Sequence, residues 1–153
     1  MEMKNYKHKT GFILLFVVAL QLVACQKQEK LHNKVEPAHI EHIEGSELSH
    51  LTLTEKAVER IGIQTTAVSE EMIAHSEARL RLVVPYSAIL YDISGRTWVY
   101  TNPEPLNYVR HEVKVDFVEG GSKAILLEGP PVGAQVVTVG ASELYGTEYQ
   151  VGH

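Results

Sequence analysis

Apolar and polar positions alternate along most of the chain from residue 50 onward, and that period of two predicts strands. Tyr108 to Val118 gives the clearest case: Val109, His111, Val113, Val115 and Phe117 fall on one face, and Tyr108, Arg110, Glu112, Lys114 and Asp116 on the other. Arg79 to Val84 repeats the pattern, with Leu80, Leu82 and Val84 opposite the two arginines. Leu51 and Leu53 alternate with threonines, Ile63 to Val68 is β-prone, and Ala124 to Leu127 and Gln135 to Val139 complete the set. Ala88 to Tyr91 and Thr97 to Thr101 flank Asp92-Ile93-Ser94-Gly95, which reads as a hairpin with a glycine-containing turn. The period changes to helical only at Thr54, a plausible N-cap, where Ala57, Val58 and Ile61 share a face and Gly62 can stop the turn. Ala141 to Tyr145 can form one more helical turn after Gly140. The predicted fold is mainly β: a single small antiparallel domain, roll-like or barrel-like, with one short helix.

Before residue 50 the pattern is different. Gly11 to Ala24 is an almost unbroken apolar run of 14 residues, preceded by Lys4, Lys7 and Lys9. A run that short fits a secretory signal rather than a membrane-spanning helix. Residues 26 to 49 are polar, with no sustained period, and read as a tether. The expected layout is a signal over 1–24, a tether over 25–49 and a β domain over 50–153.

Composition refines this reading. The chain has 153 residues, 14 Lys+Arg against 19 Asp+Glu, and a single cysteine. The net charge of −5 argues against a nucleic-acid partner. One cysteine excludes an intrachain disulfide, and only Asp92 and Asp116 are aspartates. No Gly-x-Ser-x-Gly elbow, phosphate loop or His-Glu-x-x-His is present, so an enzyme is not expected.

The signal ends in Leu22-Val23-Ala24-Cys25, which resembles the lipobox of bacterial lipoproteins. The resemblance implies that Cys25 is lipidated, becomes the mature N-terminus and holds the chain on the periplasmic side of a membrane. Gln26 stands where inner-membrane lipoproteins carry Asp, which implies outer-membrane sorting.

Residues 51 to 68 (LTLTEKAVERIGIQTTAV) and 84 to 102 (VPYSAILYDISGRTWVYTN), followed by VRHEVKV, GPPVGAQVVTVG and ASELYG, resemble the periplasmic adaptor subunits of RND-type efflux pumps, with the heavy-metal branch nearest. In that family the first stretch precedes the lipoyl domain and the second is the membrane-proximal domain. The resemblance covers residues 50 to 146, about two-thirds of the chain. It implies an RND-type transporter or a full-length adaptor as partner. Full-length adaptors insert a lipoyl domain, a helical hairpin and a β-barrel between the two stretches. Here only Ser69 to Val83 separates them, so the expectation is two ends of an adaptor joined directly into one β domain.

Candidate site residues follow from side-chain chemistry. His32, His39, His42 and His50 cluster near the front, with Glu36, Glu41 and Glu44 among them. Imidazole with carboxylate suits Cu(II) or Zn(II). Met72 and His75 form a softer pair that suits copper or silver. A solvated tether and a surface loop are the competing readings of these two groups. Trp98 and Tyr100 lie on one side of their strand and serve either a partner surface or the core. His111, on the apolar face, is expected as a core or subunit-contact residue.

Overall fold

A computed structural model describes residues 36–74 and 78–150. The chain divides between Val35 and Glu36, and everything described below belongs to the second unit. Cys25, Gln26, His32, His75 and the signal lie outside the described residues.

Among the described residues ten strands and two α-helices follow one another: β1 (Ala38–His42), β2 (Ser49–Leu53), α1 (Glu55–Ile61), β3 (Gln64–Ala67), β4 (Ser69–Ile73), β5 (Arg79–Pro85), β6 (Leu90–Tyr91), β7 (Thr97–Glu104), β8 (Asn107–Glu119), β9 (Lys123–Glu128), β10 (Gln135–Val139) and α2 (Ala141–Glu148). All pairings are antiparallel, in the order β3-β10-β7-β8-β9-β5-β4, with β2 also on β8, β1 on β2 and β6 on β7. The domain is mainly β, a curled half-barrel sheet with two helices.

The long strand β8 joins the two halves of the sheet. Its first part pairs with β2 and β7, and its second part with β9. Register breaks at Lys114/Val115 and Val115/Phe117 mark the passage from one half to the other. Irregularities of this kind bend a strand and add twist, which is what a curling sheet needs.

Two apolar clusters lie on opposite faces of the central strands. The first contains Val68, Val84, Ala88, Val99, Val113, Ala124, Leu126 and Val136. The second contains Leu51, Leu53, Ala57, Tyr100, Tyr108, Val137 and Leu144. Adjacent residues of β7 (Val99, Tyr100) and of β10 (Val136, Val137) enter opposite clusters. Strands buried on both faces lose the simple alternation of apolar and polar.

Helix α1 starts and stops where expected. Thr54 Oγ1 accepts the Ala57 N–H at 3.2 Å. Gly62 ends the helix at φ 72, a left-handed conformation that glycine adopts without steric cost, and its N–H reaches Val58 O at 2.9 Å.

Three expectations change. Residues 38–42, read as tether, form β1 and pair with β2 from Ala38↔Leu53 to His42↔Ser49. Ala38 and Ile40 pack on the second cluster, and Thr54 N–H bonds Pro37 O at 3.0 Å, so two small apolar contacts and a ladder order this stretch. Residues 69–73, which no predicted strand included and where a surface loop was one reading of Met72, form the sheet-edge strand β4. In β8 the buried face switches: Tyr108 and Arg110 are buried, Val109 is half-buried and His111 is exposed, whereas Val113 is buried again from the other side. The end of α2 closes over the Tyr108–Arg110 face through Glu148, and the β1–β2 loop adds the backbone oxygen of Glu47.

Candidate functional site

The hairpin sorts the histidines by register. Cross-strand pairs are His39↔Thr52, Glu41↔His50 and His42↔Ser49. Alternation therefore puts His39, Glu41 and His50 on one outward face, all exposed. His42 falls on the other face, where its Nδ1 lies 2.9 Å from Ser49 Oγ. Among the described residues no three His, Cys, Asp or Glu side chains converge on one point. Met72 sits on edge strand β4, mostly exposed, opposite Leu80 of β5.

Trp98 and Tyr100 go inward. Their exposures are 2% and 0%, which removes both from any partner surface of this fold. They line a polar cluster that single-strand alternation does not reveal. Arg110, 1% exposed, donates through Nε to Glu148 Oε2 at 3.0 Å and through Nη2 to Glu148 Oε1 at 3.2 Å. Its Nη2 also reaches the backbone oxygen of Glu47 at 3.3 Å. Tyr100 Oη donates to Glu148 Oε2. The guanidinium carbon lies 4.2 Å from the Trp98 ring centre and 5.3 Å from that of Tyr149. Burial opposes the charge on Arg110, and the Glu148 carboxylate outweighs it, so its pKa is raised. Burial, then the bond to Glu148, pushes the Tyr100 phenol far above its ordinary range.

The cluster ties three distant segments together: the β1–β2 loop, the β7–β8 pair and the end of α2. Its carboxylate is held by Arg110 and Tyr100, which suits it to fixing structure rather than to attacking a substrate.

A second polar unit adjoins it at Trp98. Asp92 Oδ1 accepts the backbone N–H of Ser94 at 2.8 Å and of Arg96 at 3.0 Å. Its Oδ2 accepts Arg96 Nε at 2.8 Å and Trp98 Nε1 at 3.1 Å. Burial alone would raise the Asp92 pKa, but these four donors outweigh it and lower it to about 2. Arg96 continues to Glu47, with Nη2 to Oε2 at 3.0 Å, and lies over Trp98 at 4.9 Å. Beside this turn opens a cleft of about 670 Å³ whose walls include Tyr91, Arg96, Glu112, Lys114 and Glu128. The Asp-x-Ser-Gly turn was visible in the sequence; the four bonds on Asp92 and the pairing of Arg110 with Glu148, 38 residues apart, were not.

No protein-family model matches the chain, and no curated protein matches it. Among solved structures, an NMR structure of a 180-residue piece of SilB from Cupriavidus metallidurans CH34 aligns with 26% identity and a TM-score of 0.42, covering 59% of this chain. That piece encompasses the N-terminal metal-binding site and membrane-proximal domain of SilB, and the match spans 49% of it, about half its length. The fold class itself rests on the strands described above. Among the described residues no helix is long and apolar enough to cross a membrane.

Proposed function

We propose that this chain is a lipid-anchored periplasmic interaction module that docks its β domain on an RND-type efflux transporter or on a full-length adaptor. One observation carries the reading. The two stretches that resemble adaptor sequence fold into one sheet: β2 pairs with β8, and β3 with β10. Where adaptors insert their other domains, this chain has only the β4–β5 hairpin. That pairing supports the reading of the two stretches as joined ends of an adaptor. The anchor is Cys25, and outer-membrane sorting follows from Gln26.

The test is affinity capture from detergent-solubilised host membranes with the full lipidated chain. Recovery of a transporter or adaptor is expected, and it should fall sharply for Cys25→Ser, which cannot be lipidated. Failure of the wild-type chain to recover either overturns the reading.

A second reading, metal binding or delivery, is favoured by the register that puts His39 and His50 on one face, diagonal to each other, with Glu41 directly across from His50. Neighbouring positions on one face of a strand pair are within reach of a common ion once exposed side chains turn. Calorimetry with Cu(II), Zn(II) and Ag(I) should give heats that His39→Ala/His50→Ala removes and His42→Ala keeps. Negligible heats for the parent chain sink it.

A further inference from the structure

Turn tips are ordinarily polar, built of Gly, Asn, Asp, Ser and Pro. The tip between β6 and β7 breaks that rule. Ile93, its outermost residue, is fully exposed. Tyr91 and Tyr86, close by in sequence, are also exposed. Single exposed aliphatic residues are common and need no explanation. What sets Ile93 apart is the rigidity of its mount.

The Asp92–Arg96 segment is a three-residue hairpin loop closed by Asp92 N–H to Arg96 O and Gly95 N–H to Asp92 O, both 3.0 Å, with Gly95 at φ 78. The Asp92 side chain adds two backbone bonds inside the loop and two side-chain bonds beneath it. Arg96 then straps the loop to Glu47 of the β1–β2 loop. An apolar side chain on a tip fixed this firmly loses little conformational entropy on burial, which is the condition for an interface anchor.

The surroundings say what kind of surface receives it. Around the tip and along the adjoining cleft, Arg96 binds both Asp92 and Glu47, Lys114 lies 3.8 Å from Glu128, and Glu112 adds a further carboxylate, which leaves a local excess of negative charge. An anionic bilayer would be repelled by that rim. A protein pocket that is apolar at its centre and basic at its edge matches both the knob and its charge.

We infer that the Tyr91–Arg96 turn is a preformed docking knob, with Ile93 entering an aliphatic pocket edged by basic side chains on a protein partner. This rests on the reading of the chain as an interaction module.

The test places a photoreactive benzoylphenylalanine at position 93 of the full chain in its host cell, with the same probe at Val132 as control. A discrete protein adduct at 93 that is absent at 132 is expected, and mass spectrometry identifies it. Binding of that purified protein to the parent chain and its variants then follows. Ile93→Asp should weaken binding at least tenfold and Ile93→Leu less than about twofold. Glu112→Lys/Glu128→Lys should weaken it and flatten its salt dependence. Thermal melting of Ile93→Asp should match the parent, since the side chain packs on nothing. Absence of a protein adduct at 93, an adduct to lipid alone, or unchanged affinity for Ile93→Asp overturns the knob. A partner that is neither transporter nor adaptor, but depends on Ile93, keeps the knob and sinks the efflux reading. A transporter captured equally well by Ile93→Asp does the reverse.

Discussion

The two apolar clusters share their central strands and are stabilised in different ways. The first is aliphatic throughout and draws on β5, β7, β8, β9 and β10. The second mixes leucines with Tyr100 and Tyr108, and at its margin it holds the Arg110–Glu148 pair. A cluster of the first kind depends on volume and burial. One of the second kind also depends on every buried polar group finding its partner. The difference shows that the helix-covered half of this sheet buries its polar fastening, whereas the half around β9 has an aliphatic interior and keeps its ion pairs, such as Lys123 with Glu71, at the surface.

The largest expected effect comes from breaking the fastening. Glu148→Ala leaves the Arg110 guanidinium buried without its carboxylate and removes the acceptor of Tyr100. A loss of about 3–5 kcal/mol is expected by chemical denaturation. Replacing both partners, as Arg110→Met/Glu148→Leu, should recover most of it, because no uncompensated charge then remains. If the single and double variants are equally unstable, the cost is lost packing, and the contrast between the clusters fails.

Next comes the first cluster. Leu126 is 1% exposed, and Leu126→Ala opens a cavity among aliphatic neighbours. About 2–4 kcal/mol should be lost. That loss should be the same at low and high salt, since no charge is touched. A salt-dependent loss would mean that the two halves are electrostatically coupled after all.

These same contrasts explain what the sequence could reveal. Strands β2, β5 and β7 to β10 were legible, because alternation and turn residues follow from the chain alone. Strand β1 was not: its inward residues are only Ala38 and Ile40 among His and Glu, and its order comes from pairing with β2. Strand β4 hid behind Ser69, Glu70 and Glu71 in the same way. Trp98 and Tyr100 were recognised as notable, but their direction depends on α2, which closes over them from 40 or more positions away. Arg110 was placed outward by alternation, and only a covering layer reverses that. Of the hairpin histidines, residue type suggested chemistry, and only the register shows that His42 is turned away from His39 and His50.

The margin of the second cluster carries a pH signature. In the unfolded chain Asp92 takes up its proton near its ordinary pKa of 3.8, and in the fold only near about 2. Between those values the unfolded state binds more protons, so stability falls as pH drops through the window. Its contribution is present above the ordinary pKa and is lost progressively as pH falls through about 2. Asp92→Asn should flatten the fall in melting temperature between pH 4 and 2. A variant that tracks the parent throughout this window would show that the turn's bonds do not act through the carboxylate charge.

The smallest effect is expected where the packed half ends. Cluster one is closed toward β10 but runs out at edge strand β4, where Met72 and Leu80 face each other across the hairpin and are 60% and 54% exposed. They lie on the same face of the strands as Leu82, which does pack on the cluster, so alternation alone would count them as core. Their exposure means that little apolar area is removed from water when the domain folds. Met72→Ser and Leu80→Ser should each change stability by no more than about 0.5 kcal/mol, against several for Leu126→Ala on the inner strand β9. A loss above 1 kcal/mol in either would show that the hairpin is part of the packed half, and that the boundary between fastened and packed regions lies beyond β4 rather than before it.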